Sequence, residues 1–117
     1  MDFDQYQKQI AATKMPHSEF KSFEEELQYW ALCLAGETGE VCNTLKKIRH
    51  GHYLNIVKLL DEAGDVLWYL TALVDTLEFA GPTLDSVAQQ NLQKLRSRYP
   101  DGFDAQRSIN RNAHDAG

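Results

Sequence analysis

Apolar residues recur along most of the chain at intervals of three and four, which is the spacing of amphipathic helices. The longest such pattern predicts a helix from Ser22, a residue type that caps helix N-termini, to about Arg49. Three glutamates near its start suit the positive end of the helix dipole, and His50-Gly51 is predicted to end it. Its apolar stripe consists of Leu27, Trp30, Leu34, Val41, Leu45 and Ile48.

The same spacing predicts three further helices. A short helix precedes Met15-Pro16, because a proline disfavours helix at the residue before it. A longer helix is expected from about Leu54 to Phe79, and the last is capped by Thr83 and ends at Tyr99-Pro100. Since no segment alternates between apolar and polar residues as a half-buried strand does, we predict an all-α bundle of four to five helices.

The helix predicted over residues 54–79 is apolar for more than a full turn at residues 66–70, so we expect it to be enclosed on nearly every side. A chain of 117 residues and 13.3 kDa has little material for such cover, and a partner subunit is expected to complete it. Residues 1–99 are predicted to form a single domain. Residues 100–117 have little aliphatic character beyond Ile109 and are interpreted as a loose C-terminal arm.

The formal net charge of −5, with acidic and basic residues interspersed, argues against binding to nucleic acid or to a membrane through bulk electrostatics. The sequence has no 18-residue apolar stretch, and its acidic N-terminus is unlike a signal peptide. Cys33 and Cys42 lie on one predicted helix, about 13 Å apart at about 1.5 Å of rise per residue, which is too far for a disulfide. We therefore expect a soluble chain in the reducing cytoplasm.

Two pairs of carboxylates interrupt the apolar pattern of consecutive helices. Glu37 lies on the apolar stripe with Glu40 one turn further on, and Glu62 and Asp65 repeat this spacing beside the next apolar run. A turn between antiparallel helices can bring all four face to face. Burying four carboxylates together is costly unless a cation neutralises them, and oxygen ligands favour Mg²⁺ first and Mn²⁺ second. We predict a metal site at these four residues, which are also the candidate catalytic residues.

A simpler interpretation of the acids is that they face solvent, as Glu-x-x-Glu and Glu-x-x-Asp motifs commonly do on helix surfaces. The apolar runs beside both pairs favour the metal site. Gly36 and Gly39 each cost about 1 kcal/mol relative to alanine inside a helix, which predicts that a ligand or a neighbouring helix approaches closely there. A di-iron bundle would need Glu-x-x-His motifs, and the sequence has none.

Three ordered segments, LAGETGEVCNTLKK, LLDEAGDVLWYL and NLQKLRSRYPDGF, resemble the MazG-like branch of the all-α nucleoside triphosphate pyrophosphohydrolases. The resemblance extends from about Tyr29 to Phe103, with a family-like start at Tyr6. The family's metal-binding signature, Glu-x-x-Glu followed by Glu-x-x-Asp, is matched by the four acids. Many members carry a further glutamate where this chain has Gly36, so the number of metal ions stays open.

The candidate substrate-binding residues include one amide on the apolar face of the last predicted helix and cationic side chains on two of the helices. Asn91 lies on an apolar face, where an amide needs a hydrogen-bonding partner. In the MazG-like family the Asn-x-x-Lys stretch, here Asn91 and Lys94, contributes to nucleotide binding. Lys47 and Arg98 are candidates for phosphate contacts, with a solvated charge near a helix C-terminus as the alternative.

Trp30 and Trp68 are candidate surfaces on which a nucleobase stacks, and Tyr69 could belong to the same wall. The alternative is that these aromatic residues pack in the core, as large aromatics at helical spacing usually do.

The resemblance implies Mg²⁺-dependent hydrolysis of a (deoxy)nucleoside triphosphate to the monophosphate and pyrophosphate, for nucleotide-pool cleaning or dNTP balance. It also implies a homodimer or homotetramer, since relatives of this fold are typically dimers or dimers of dimers. Hydrolysis of phosphoribosyl-ATP is an alternative, because that reaction uses the same fold and metal site. A non-catalytic helical interaction module is an alternative of a different class.

Overall fold

The computed structural model describes residues 1–111 of the chain. Within these residues the regular secondary structure is entirely helical, which confirms the predicted all-α fold. The five α-helices are α1 (Phe3–Ile10), α2 (Phe23–Arg49), α3 (Ile56–Thr76), α4 (Leu84–Arg98) and α5 (Ala105–Asn110). Two short 3₁₀ turns lie at His17–Glu19 and Glu78–Ala80.

The helix ends follow from local side-chain chemistry. Asp2 and Gln5 form a reciprocal capping box at the start of α1. The hydroxyl of Ser22 accepts a hydrogen bond from the Glu25 amide at 3.0 Å, so α2 begins where its capping residue predicts. Its last turn closes at Gly51, whose positive φ of 93° is costly for any residue with a Cβ.

Helix α3 is shorter at both ends than the predicted range of residues 54–79. The Asn55 side chain accepts a hydrogen bond from the Lys58 amide at 3.0 Å, which sets the helix start at Ile56. At the other end the chain tightens into the 3₁₀ turn Glu78–Ala80 before Gly81, at φ 111°. An asparagine cap and a tightened last turn therefore account for the difference.

Helices α2 and α3 pack against each other as an antiparallel pair. The Thr44 hydroxyl near the end of α2 donates to Glu62 near the start of α3, at 2.6 Å. At the other end of the pair, the Thr76 hydroxyl lies 3.2 Å from a carboxylate oxygen of Glu26. Residue numbers thus rise along α2 as they fall along α3, and this register brings the middle of the two helices together around Glu37.

The core is formed where α1 and the C-terminal half of α3 meet the first half of α2. Ile10, Trp30 and Ala72 are buried at its centre. Aromatic residues surround them, and the rings of Trp30 and Trp68 meet edge to face with centroids 5.7 Å apart.

The N-terminal half of α3 is exposed in the single chain, so the expected enclosure of this helix on nearly every side is wrong for the chain by itself. Within the unit Met1–Leu84, the contacts of α3 are mainly with α2 and, at the core, with α1. The exposed large apolar residues in this region are Leu45, Ile48, Tyr53, Leu54, Ile56, Val57 and Leu60.

Glu26 is a buried carboxylate, with 2% of its surface exposed, although the sequence alone assigned it only a favourable position near the helix N-terminus. The Trp30 indole N–H donates to it at 3.0 Å, and His17 Nδ1 is also bonded to it. The Lys14 ammonium lies 3.6 Å from Glu26 and 3.0 Å from Asp75. This set of residues, the Glu26 network, ties α2 and α3 to the segment that follows α1.

The Glu26 network predicts a loss of stability in acid. Burial raises the pKa of Glu26, but the hydrogen bonds from Trp30 and His17 and the Lys14 charge outweigh it, so the pKa lies below the ordinary value of 4.5. Burial likewise opposes the bonds from Gln7 and Lys14 that lower the pKa of Asp75 below 3.8. Groups with a lowered folded pKa stabilise the protein above their unfolded pKa, and this contribution is lost as the pH falls through the folded pKa.

We therefore expect the melting temperature of the wild type to fall more steeply between pH 5 and pH 3 than that of a Glu26→Gln variant. Thermal unfolding followed by circular dichroism at each pH measures this. Parallel curves for the two proteins would contradict a stabilising Glu26 carboxylate.

The chain divides into two compact units, Met1–Leu84 and Asp85–Gly117, and the single domain over residues 1–99 stays a prediction. The second unit contains most of α4 and all of α5, so the arm predicted from residue 100 as loose includes a helix. Asp104 explains this helix, because its carboxylate accepts hydrogen bonds from the amides of Gln106 and Arg107 at 2.8 and 3.2 Å. Residues 112–117 of the arm lie outside the described residues.

None of the helices within residues 1–111 is long and apolar enough to cross a membrane.

Candidate active site

The four predicted acids gather in the middle of the α2–α3 pair. Burial raises the pKa of Glu37, and the negative charges of Asp65, Glu40, Glu62 and Asp61 raise it further. These carboxylates therefore lie close enough to interact electrostatically, as the two three-residue spacings predicted. Asp61 is an additional acid that the spacing did not single out, although it directly precedes Glu62.

Glu62 is the anchored member of the group. Only 6% of its surface is exposed, and its Oε2 accepts the 2.6 Å hydrogen bond from the Thr44 hydroxyl. Sequence reasoning missed Thr44, yet a signal existed, because Thr44 follows Glu37 by seven residues and so lies on the same face of α2. The bond holds one carboxylate oxygen in place and leaves the other available.

The remaining acids are less constrained. Glu37 is half-buried, and Glu40 and Asp65 are exposed. Within residues 1–111, no three His, Cys, Asp or Glu side chains stand close enough together to hold a metal ion without rearrangement. To bind one metal ion directly, the side chains of Glu37, Glu40 and Asp65 must therefore rotate toward Glu62. Glu40 and Asp65 are exposed and Glu37 is half-buried, so there is space for this rotation.

The donor set nevertheless matches a hard divalent cation in its chemistry. The predicted ligands are all carboxylates, and none of the four forms an ion pair with a lysine or arginine of the described residues. Like charges that are grouped without a cationic partner repel one another. Mg²⁺ and Mn²⁺ prefer such oxygen ligands and would relieve this repulsion.

Two tyrosines border the acids. Burial raises the pKa of Tyr69, as do the charges of Cys33, Glu37, Tyr29 and Asp65, in that order. Burial also raises the pKa of Tyr6, with Asp65 as the second cause. Both phenols are therefore protonated at neutral pH and can donate hydrogen bonds beside the carboxylates.

The two candidate stacking residues differ in access. Trp30 has 2% of its surface exposed and donates its N–H to Glu26, so it packs in the core and has no face open to a base. Trp68 is half-buried, and its N–H lies 3.2 Å from the Thr13 hydroxyl. The core alternative therefore holds for Trp30, because the rings of Phe20, Trp68 and Tyr69 already pack against it.

The polar substrate candidates lie on two different parts of the chain. Lys47 is half-buried in the last turn of α2. Asn91, Lys94 and Arg98 lie on α4, in the second compact unit. The Asn91 amide is exposed and makes no hydrogen bond within residues 1–111, so it does not lie on a buried apolar face, and the ligand contact expected of it stays a prediction. Leu92 and Leu95 on the same helix are exposed as well, which explains why the pattern misled.

The glycines that lie among the acidic residues have open space at the position where a Cβ atom would be. A Cβ added to Gly36, Gly39 or Gly64 has no heavy atom within 4 Å, apart from its immediate surroundings in the helix. A neighbouring helix close to Gly36 and Gly39, one of the two expectations that these glycines raised, is therefore not seen within the unit Met1–Leu84. Space for a ligand remains.

We expect Gly36→Ala to stabilise the protein by up to about 1 kcal/mol, because alanine favours the helix and its methyl group fits without a clash. This corresponds to a rise in melting temperature of about 4 °C. Differential scanning calorimetry measures the rise, with Gly51→Ala as the contrasting variant, since a positive φ makes that change destabilising. A lower melting temperature for Gly36→Ala would show that the position needs glycine.

Comparison with known protein families identifies the family of this chain. The MazG nucleotide pyrophosphohydrolase domain matches residues 14–103, a range that contains all four acids and the candidate residues of α4. The chain belongs to the MazG family. Its MazG domain thus spans both compact units, and the family resemblance predicted from three sequence segments is confirmed.

A curated relative of this MazG chain is the Gene 37 protein of Mycobacterium phage L5, with 39% identity over 79 residues. The similarity covers 63% of this chain and 67% of the phage protein. No solved structure matches the chain. MazG nucleotide pyrophosphohydrolases generally use divalent metal ions, in agreement with the all-carboxylate donor set.

Proposed function

We propose that this MazG domain hydrolyses a (deoxy)nucleoside triphosphate between the α and β phosphates, with release of the monophosphate and pyrophosphate. The expected roles are nucleotide-pool cleaning or dNTP balance. The observation that carries the proposal is the group of carboxylates around Glu37, which raise its pKa and have no cationic partner within residues 1–111. Family membership supports the reaction class.

Glu37, Glu40, Glu62 and Asp65 are the proposed ligands of Mg²⁺, with Mn²⁺ as a second possibility. When bound, such a cation neutralises charge on the triphosphate and acidifies a water molecule. Four carboxylates would otherwise repel an anionic substrate, which is why the acids alone make a poor nucleotide site.

The chain's own residues supply positioning. Thr44 holds Glu62 in one orientation, so this ligand loses little side-chain entropy on binding. Glu37 and Glu40 are the candidates to orient the attacking water, while the protonated phenol of Tyr69 can donate a hydrogen bond to a bound oxygen. Asn91 and Lys94 remain the proposed contacts to the nucleotide, and Lys47 and Arg98 those to its phosphates.

A substrate panel tests the proposal. The purified chain is incubated with single dNTPs, NTPs and phosphoribosyl-ATP, with Mg²⁺, with Mn²⁺ or with EDTA, and pyrophosphate is quantified. Metal-dependent release from at least one nucleoside triphosphate is expected. Release from phosphoribosyl-ATP alone would replace the proposed substrate class, and no release from any compound would leave a non-catalytic helical module as the better reading.

We further propose a homodimer or homotetramer in solution. The exposed apolar surface formed by Leu45, Ile48 and residues 53–60 supports this, since a patch of this kind on a chain of 117 residues marks an interface. Sedimentation velocity is expected to give a mass of two or four chains for the wild type. Val57→Glu, a change at an exposed position with no buried contact to lose, is expected to shift the distribution toward one chain. A monomeric wild type would contradict the proposal.

A further inference from the structure

A cavity of about 470 Å³ lies between the end of α4 and helix α5, and all of its lining residues fall within 97–111. Its charged lining residues are Arg98, Arg107, Arg111 and Asp104. The other three lining residues are uncharged and polar, and no apolar or aromatic side chain of the described residues contributes to the wall. The wall is therefore cationic and has no aromatic ring on which a nucleobase could stack.

The positive charge of this cavity is only weakly offset by its one acid. The Asp104 carboxylate accepts the 2.8 and 3.2 Å hydrogen bonds from the amides that begin α5, and this capping role directs it to the backbone. Neither Arg107 nor Arg111 forms an ion pair within residues 1–111. Two guanidinium groups thus remain available for a ligand.

This local charge contrasts with the rest of the chain. Residues 96–111 contain four arginines and two aspartates, whereas the whole chain has a formal net charge of −5. Arginine forks match the paired oxygens of a phosphate group, and they bind such groups through short, charge-assisted hydrogen bonds. A carboxylate ligand would use one fork, while Arg107 and Arg111 together suit an anion with several negative oxygens.

We propose that this cavity, the arginine pocket, binds the linked phosphates of pyrophosphate or of a nucleotide's phosphate chain. The volume accommodates either group, and the polar wall recognises phosphate without selecting a base. Binding of this kind needs neither hydrolysis nor the carboxylates of α2 and α3.

Isothermal titration calorimetry with sodium pyrophosphate, in EDTA to prevent binding through a metal ion, tests the arginine pocket in the full chain. We expect wild-type binding that weakens as the salt concentration rises. Arg107→Gln and Arg111→Gln are each expected to weaken it about tenfold or more, because each removes a charge-assisted contact. Arg96→Gln is the matched control, since Arg96 is an exposed arginine of α4 that does not line the cavity, and an effect within twofold is expected.

Parallel titrations with a dNTP, the unphosphorylated deoxynucleoside and a single-stranded oligonucleotide distinguish the sources of phosphate. Tighter binding of the dNTP than of pyrophosphate, with the same dependence on Arg107 and Arg111, would identify a nucleotide phosphate chain as the ligand, and equal binding would identify the free anion. Absence of pyrophosphate binding, an equal loss in Arg96→Gln, or tighter binding of the oligonucleotide would overturn the proposal. Circular dichroism of each variant verifies that α4 and α5 remain folded.

Discussion

Replacing Glu62 by glutamine is expected to lower pyrophosphate release by at least about a hundredfold. Glutamine has the same shape and still accepts the hydrogen bond from Thr44, so the local fold is preserved. What disappears is the charge of the one buried, anchored carboxylate of the group. A neutral amide is a poor ligand for Mg²⁺ beside three carboxylates that must still be neutralised.

The measurement is initial-rate pyrophosphate release at saturating and limiting Mg²⁺, which separates weakened metal binding from a slower chemical step. Glu24→Gln is the matched control, because Glu24 is exposed in the first turn of α2 and undergoes the same chemical change. We expect this control to act within twofold of the wild type. Unchanged activity of Glu62→Gln would remove Glu62 from the site.

A measurement of Mg²⁺ binding complements the kinetic measurement. Mg²⁺ at about a hundred times its dissociation constant is expected to stabilise the wild type by about 2.7 kcal/mol, and Glu62→Gln by clearly less. Equal stabilisation of both proteins would place the cation elsewhere.

Replacing Glu26 by alanine is expected to destabilise the protein by about 3–5 kcal/mol, the largest stability effect that we predict for a single residue. The Lys14 ammonium, 6% exposed, would lose one of its carboxylate partners, and the Trp30 N–H would be buried without an acceptor. A cavity at the contact of α2 with α3 adds to this loss.

Urea denaturation measured at pH 7 checks this expectation. Glu24→Ala is the control, because it removes a glutamate from the same helical turn where the side chain is exposed, and its expected cost is below about 1 kcal/mol. Glu26→Gln should fall between the two, since an amide keeps an acceptor for Trp30 but not the charge for Lys14. Equal stability of Glu26→Ala and Glu24→Ala would show that the network contributes nothing.

Glu26 and Glu37 illustrate two uses of a carboxylate on one helix. Both lie inside or beside the apolar stripe of α2, and in the sequence they look alike. Although burial opposes them, the hydrogen bonds from Trp30 and His17 and the charge of Lys14 lower the pKa of Glu26, and these contacts make it a structural residue. Burial and then the charges of neighbouring acids raise the pKa of Glu37, and the repulsion among these acids makes it a candidate ligand.

Much of the fold could be predicted because it depends on local chemistry. Ser22 and Gly51 bound α2 through a cap and a positive φ, and the spacing of apolar residues is a property of each helix by itself. The three-residue spacing of the acids is equally local, so it indicated that Glu37 and Glu40 share one helix face, and that Glu62 and Asp65 share another.

Tertiary structure decided which polar side chains have partners and which apolar ones are covered. Thr44 meets Glu62, and Lys14 meets Glu26 and Asp75, only because the register of α1, α2 and α3 joins residues 12 to 61 positions apart. The same packing buried Trp30. Whether a side chain is buried or ion-paired depends on all of its neighbours, and these come from distant parts of the chain. The periodicity along one helix therefore determines which residues share a face, but it does not determine which residues that face contacts.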